Sequence, residues 1–194
     1  IDDYSDRVGY RGELQIDRDL LKEAVTALDA AGFQVHVHAI GDGAVRAALD
    51  AFEAARERNG ITDRRHHVAH AQFVHPEDRE RFARLNVTAT VSPVWAGGED
   101  AFLSELTLPR VGAERYTGTY PLRGILDAGA RIAFGSDWNV STPDPLQGIE
   151  AAVTRRHATD DSLPVFLPEQ AISVDEAVYA ATLGAAYVNR LDDR

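Results

Sequence analysis

Apolar positions along the chain alternate between two periods. Between residues 17 and 31, Leu20, Leu21, Val25 and Leu28 fall at helical spacing and Gly32 supplies a stop. The run FQVHVHAI over 33–40 is β-branched and apolar, which predicts a short buried strand. From Gly43 to Arg58 the helical stripe returns, with Asp42 expected as its N-cap. The couplet then repeats, with a strand over 66–73 and a helix over 75–85 that carries Pro76 in its first turn. A strand over 87–94 leads into a long loop over 96–118, with a short helix near 100–106. A helix over 121–128, closed by Gly129, precedes an apolar strand over 131–137, and helices near 145–157 and 174–189 follow. Residues 1–16 form a polar entry segment.

Strand–helix couplets without hairpin signals predict an α/β fold of parallel strands joined by right-handed crossovers. An open doubly wound sheet and part of a (β/α)8 TIM barrel both satisfy that pattern. The polar residues favour the barrel. His38, His70, Ser92 and Asp137 each lie at the C-terminal end of a different predicted strand, and in a barrel those ends meet on the catalytic face. A whole barrel takes about 250 residues and eight units. This chain offers four, so residues 1–194 are expected to form one partial barrel domain with two open sheet edges.

Composition narrows the partners. The chain is 44% hydrophobic with 8% aromatics, enough for one sizeable core. A formal net charge of −11 and a pI near 5.0 argue against nucleic acid and against anionic membrane surfaces. With no cysteine, any metal must be held by His, Asp or Glu. No apolar run approaches the roughly 20 residues of a membrane span. The start at Ile1 and the lack of methionine lead to the expectation of further chain upstream; with no secretory pattern, the expected location is cytoplasmic.

His36 and His38 share one face of their strand, so both metal binding and a hydrogen-bonded core role stay open for the pair. The GDG at 41–43 lacks a phosphate-loop pattern, which leaves Asp42 a capping role. In RRHHVAHAQF, alternation places His66, Val68 and His70 on one face and His67 on the other. His66 and His67 are expected at the strand's entrance, and His75 as a loop or cap residue. Asp137, after an apolar strand and a Gly-Ser turn, could serve as metal ligand, general base or helix cap. Trp95 and Trp138 follow strand ends and could wall a substrate pocket or cover the rim. Arg155 and Arg156 suit surface or ion-pair positions. Ser92 and Ser136 sit in no nucleophile elbow. What remains is two imidazoles and a carboxylate on strand ends: His38, His70 and Asp137. That set suits Zn²⁺ or a similar ion that makes a water acidic enough to attack at neutral pH.

The blocks HAIGDGAV, HHVAHAQFVHPEDRERFARL, TATVSPVWA, YPLRGILDAGARIAFGSDWNVSTPDPLQGIEAAVTR and SVDEAVYAATLGAAY together resemble the amidohydrolase superfamily. More closely, they are similar to the YtcJ-like, N-substituted formamide deformylase-like metal-dependent hydrolases, from about Gly9 to Asn189. The resemblance implies a (β/α)8 barrel with one or two divalent metals, usually zinc. It matches His38 to the strand 5 ligand, His70 to the strand 6 ligand, and Asp137 to the strand 8 aspartate that binds metal and moves the proton. His36 falls on a variable position. The strand 1 His-x-His pair and the bridging residue of strand 4 have no counterpart here, so the chain resembles strands 5–8, the C-terminal half of the barrel.

Three stretches depart from the resemblance: His67-Val68-Ala69 stands where R-I-E is common, Ser92 where Gln precedes the proline, and Asn139 where a proline follows the tryptophan. The first two line the expected pocket, together with Trp95 and Trp138. The implied activity is hydrolysis of a C–N bond in a small amide or formamide substrate. Deaminase, cyclic-amide and ester chemistry are the alternatives within the superfamily, and a catalytically incomplete scaffold or binding domain is the alternative outside it. The implied protein partner is the remaining half of the barrel, with a homodimer as a further option.

Overall fold

The computed structural model describes residues 1–100 and 102–193. Four parallel strands, β1 (His36–Ala39), β2 (His67–His70), β3 (Thr88–Val91) and β4 (Ile132–Phe134), pair in the order β1-β2-β3-β4. Consecutive strands are neighbours, as a chain of βα units requires. Each strand is shorter than its apolar run. β2 stops where His70 and Ala71 turn left-handed, and Pro93 opens a 3₁₀ turn just after β3.

The register gives the sheet two chemically distinct faces. Val37, Val68, Ala89 and Ile132 stand in one rung against the helices. That rung joins Val25, Leu49, Phe52, Phe82 and Ile125 in the main core. The opposite face carries His36, His67 and Thr88 in one rung and His38, Ala69, Thr90 and Ala133 in the next. β1 is therefore buried on one side only, because His36 and His38 are exposed. Among the described residues, β1 and β4 each have one unpaired edge.

Helix α1 (Arg18–Ala30) starts at Asp17, whose carboxylate accepts the N–H groups of Asp19 and Leu20 at 2.9 and 3.2 Å. At α2 (Asp42–Asn59) the cap is Gly41, not Asp42. Asp42 is the first helical residue and accepts the Gly43 N–H at 2.7 Å, so its charge still sits at the positive end of the helix. His75 caps α3 (Pro76–Leu85) through Nδ1, which accepts from the Glu77 N–H, and left-handed Asn86 ends it.

The stretch expected as a loop over 96–118 is largely helical. A π-type turn (Phe102–Thr107) runs into α4 (Leu108–Tyr116). Pro109 and Gly112, the latter at φ 76°, interrupt the apolar stripe and hide it from periodicity. Leu103, Tyr116, Tyr120 and Phe166 form a second, smaller core there. After α5 (Leu122–Asp127) and β4, α6 (Pro145–Thr154) ends at Arg155, whose φ is 55°.

Arg155 is a correction to its expected surface place, since it is fully buried. Its guanidinium donates to the carbonyls of Phe166 at 2.8 Å and Tyr120 at 3.5 Å, tying that second core to the end of α6. Burial pushes its pKa down to about 10. The final helical stretch runs through α7 (Val174–Tyr179), a π-type segment (Ala180–Gly184) and α8 (Ala185–Val188). Gly184 lets it press on β4: a Cβ there would lie 2.5 Å from the Ile132 carbonyl oxygen. Among the described residues no helix is long and apolar enough to cross a membrane.

Candidate metal centre

His38 is the third residue of β1 and His70 the last of β2. Strict alternation would send His70 to the helix side with Val68, and the register does pair it with Ala39. Its ring nonetheless lies 4.5 Å from that of His38, edge to face at 71°. A φ of 70° at His70 swings the side chain back, and Ala71 follows at 45°. Left-handed backbone at a non-glycine residue costs about 1–3 kcal/mol and survives only where its surroundings pin it. Here the Ala71 N–H donates to Ala39 and the Phe73 N–H to Ile40, both at 3.0 Å.

Asp137 shows the same device. It follows β4 with φ 59°, and its carbonyl accepts the N–H groups of Val140 and Ser141 at 2.8 and 3.2 Å. Gly135 N–H donates to Val91 at 2.9 Å and fixes the approach of that turn to β3. Ser136 Oγ accepts the Trp138 N–H at 3.2 Å.

Desolvation is the main force that lowers the His70 pKa, and the nearby His38 ring adds to it. The Asp137 charge acts in the opposite direction, which places the carboxylate within the field of this ring. A neutral imidazole is the form that binds metal. Zn–N bonds of about 2.0–2.1 Å put two imidazole centroids on one tetrahedral ion roughly 5 Å apart. The His38–His70 spacing fits two positions on such an ion. Among the described residues no three His, Asp or Glu side chains close into a full ligand set, so Asp137 joins the field and not the cluster.

The other histidines divide by face. His66 turns to the helices, stacking on Phe52 with centroids 4.8 Å apart; its Nδ1 accepts the Val35 N–H at 3.0 Å, and its Nε2 meets Asp29 at 3.1 Å. His67 and His36 face the other way and meet at 4.7 Å, one rung below the His38–His70 pair.

A cleft of about 210 Å³ opens beside Ser136, between Pro93, Val94, Phe134, Gly135 and Pro143. Ser92, Trp95 and Trp138 do not line it. Ser92 is buried at the start of the 3₁₀ turn (Pro93–Ala96), Trp95 packs on the second core, and Trp138 is exposed. Tyr120 was not singled out from the sequence. It is buried at φ 48°, and its phenol is held neutral by burial first, then by Asp100, with Asp137 adding to the effect. The signal available for it was the Tyr120-Pro121 pair, since a residue before proline is kept out of the helical region.

The profile of the amidohydrolase family matches residues 3–194. Protein LONG AFTER FAR-RED 3 of Arabidopsis thaliana is 34% identical over 98% of this chain and 32% of its own length. N-substituted formamide deformylase of Arthrobacter pascens is 27% identical over 81% of this chain and 28% of its own. An uncharacterized metal-dependent hydrolase from Pyrococcus furiosus superposes with a TM-score of 0.76 at 31% identity, covering 99% of this chain and 36% of that structure. The chain spans about a third of the length of these relatives.

Proposed function

The chain belongs to the amidohydrolase family, and on that premise we propose that it forms strands 5–8 of a (β/α)8 barrel whose complete protein hydrolyses a C–N bond. The observation that carries this reading is the His38–His70 pair, which a strained backbone at His70 brings together, edge to face at 4.5 Å, on the sheet side away from the helices. Strain retained at two strand ends, His70 and Asp137, fits a site that needs those side chains aimed at one place.

His38 and His70 would hold a divalent ion through imidazole nitrogens, and Asp137 would approach it as a further ligand. Zinc suits this sulfur-free set of nitrogen and oxygen donors. When bound, such an ion supplies positive charge that acidifies water and polarises a carbonyl. Asp137 takes the proton of the attacking water on a carboxylate oxygen and hands it to the leaving nitrogen, so one water is consumed and an acid and an amine are released. A formamide or related small amide is the proposed substrate class; the Arthrobacter pascens relative, named for N-substituted formamides, supports it. The remaining strands of the barrel are the proposed partner of the two open sheet edges.

In the complete protein, assayed with an N-substituted formamide, Asp137→Asn should retain metal and lose about 10²–10⁴-fold in turnover. Chelation should abolish activity, and added Zn²⁺ should restore it. Hydrolysis at full rate by metal-stripped protein would overturn the reading.

A further inference from the structure

The rung below the candidate centre is polar on all three of its strands. His36, His67 and Thr88 are register neighbours on three adjacent strands, so their side chains share a face. The His36 and His67 rings lie 4.7 Å apart at 76°, nearly the geometry of the pair above them. That spacing also fits two imidazoles on one tetrahedral ion, which needs roughly 5 Å between centroids.

Donor counting settles the tautomer of His67. The Gln34 side-chain amide has two hydrogens, and both are committed: one to the Arg65 carbonyl at 2.7 Å, one to the Val188 carbonyl at 2.9 Å. Its 3.4 Å approach to His67 Nδ1 therefore carries no hydrogen bond from the amide. The partner left for Nδ1 is the Arg65 carbonyl at 3.3 Å, to which Nδ1 donates. His67 Nε2 then carries the lone pair. Anchoring one ring nitrogen on a backbone carbonyl so that the other is presented is how proteins orient a metal-binding histidine.

A further observation concerns Thr88. It is fully buried, and its hydroxyl has no hydrogen-bond partner in the structure. A buried hydroxyl left unpaired costs about 1–3 kcal/mol, so a polar partner reaching it would be stabilising.

We propose that His36 and His67 form a second binding site for a single borderline transition-metal ion such as Zn²⁺, one rung beneath His38 and His70, with Thr88 holding a water of its shell. The site is independent of the hydrolytic reading: it uses neither His38, His70 nor Asp137. It also gives a role to His67, one of the positions where this chain departs from the pattern its sequence resembles.

The test is a Zn²⁺ titration of the purified chain against a chromophoric competitor. The double variant His38→Gln/His70→Gln removes the upper pair. Zn²⁺ binding should persist in that background, and adding His36→Gln should weaken it more than about 100-fold, since loss of a ligand exceeds the roughly 10–100-fold cost of losing an outer-shell partner. His36 is exposed, so its variant leaves the core intact, and circular dichroism checks that the fold is retained. His67→Gln should act alike; should it unfold, His36→Gln carries the test alone. Loss of all Zn²⁺ binding in His38→Gln/His70→Gln would overturn the proposal, as would residual binding that ignores His36→Gln.

Discussion

On the helix side of the sheet, Val37, Val68, Ala89 and Ile132 form one rung, and every member is aliphatic. One residue along, on the other side, the rung reads His36, His67, Thr88. The first face is chosen by volume: it meets Leu49, Phe52 and Phe82, which are fully or almost fully buried. The second is chosen by nitrogen and oxygen placement, and two of its hydroxyls, those of Thr88 and Thr90, have no hydrogen-bond partner among the described residues. A single strand can serve both ends because its side chains alternate, so substitutions two atoms apart in the backbone should fail in different ways.

The widest separation should come from comparing His70→Ala with a core truncation. Loss of an outer-shell partner of a metal ligand costs about 10–100-fold, and loss of the ligand itself should exceed that. Turnover of the complete protein should therefore fall more than about 100-fold in His70→Ala. Its thermal midpoint should hold or rise, since alanine removes no core contact. Should the melting temperature collapse instead, the strained turn at His70 is structural and the two-face division fails there.

Leu49→Ala should do the reverse. Leu49 is fully buried on α2 against the sheet. Its truncation should cost about 2–5 kcal/mol in urea unfolding, with turnover of the folded fraction unchanged. A loss below that range would mean that the α2 face collapses into the vacated space.

A polar cluster on the helix side gives a pH test. Asp29 of α1 is 2% exposed and accepts from Asn59 at 2.8 Å, Thr62 at 3.0 Å and His66 at 3.1 Å. Burial alone would raise its pKa, but these hydrogen bonds outweigh burial and hold the carboxyl below its usual value of 3.8. A carboxyl lowered in the native state means that the unfolded chain takes up its proton first as pH falls. The stability it contributes is complete above about pH 4 and is lost as pH drops through the native pKa. Asp29→Asn should remove that share of the acid limb, and parallel acid curves for the two proteins would refute it.

These contrasts bear on what was legible beforehand. The four βα units could be read because helical and strand periods alternate without a break, and the strand-end places of His38, His70 and Asp137 followed from them. The direction of His70 could not be read: alternation sent it to the wrong face, and no sequence rule assigns a left-handed φ to a histidine. The short helix expected near 100–106 is the π-type turn at Phe102–Thr107, but α4 beyond it was hidden because Pro109 and Gly112 cut its stripe. Arg155 was misplaced because a fully buried guanidinium held mainly by carbonyls looks like any surface arginine in one dimension. His36 and His67 were weighed separately, since only the register between β1 and β2 brings them together.

The smallest effect expected is also the sharpest, because one chemical change is made in opposite directions on the two faces. Valine and threonine have nearly the same shape and differ by a hydroxyl in place of a methyl. Val68 is fully buried among aliphatic side chains, so Val68→Thr brings in a hydroxyl with nothing to bond and should cost about 1–3 kcal/mol. Thr88 is equally buried but already carries that penalty, so Thr88→Val removes it and should raise stability by about 1 kcal/mol. Urea midpoints of the metal-free chain measure both. Opposite signs would establish that the two faces follow different rules at the level of a single hydroxyl. Losses of similar size would mean that Thr88 already holds a water in solution. The polar face would then be satisfied before any ion arrives, and Thr88→Val would be expected to weaken Zn²⁺ binding no more than it weakens the fold.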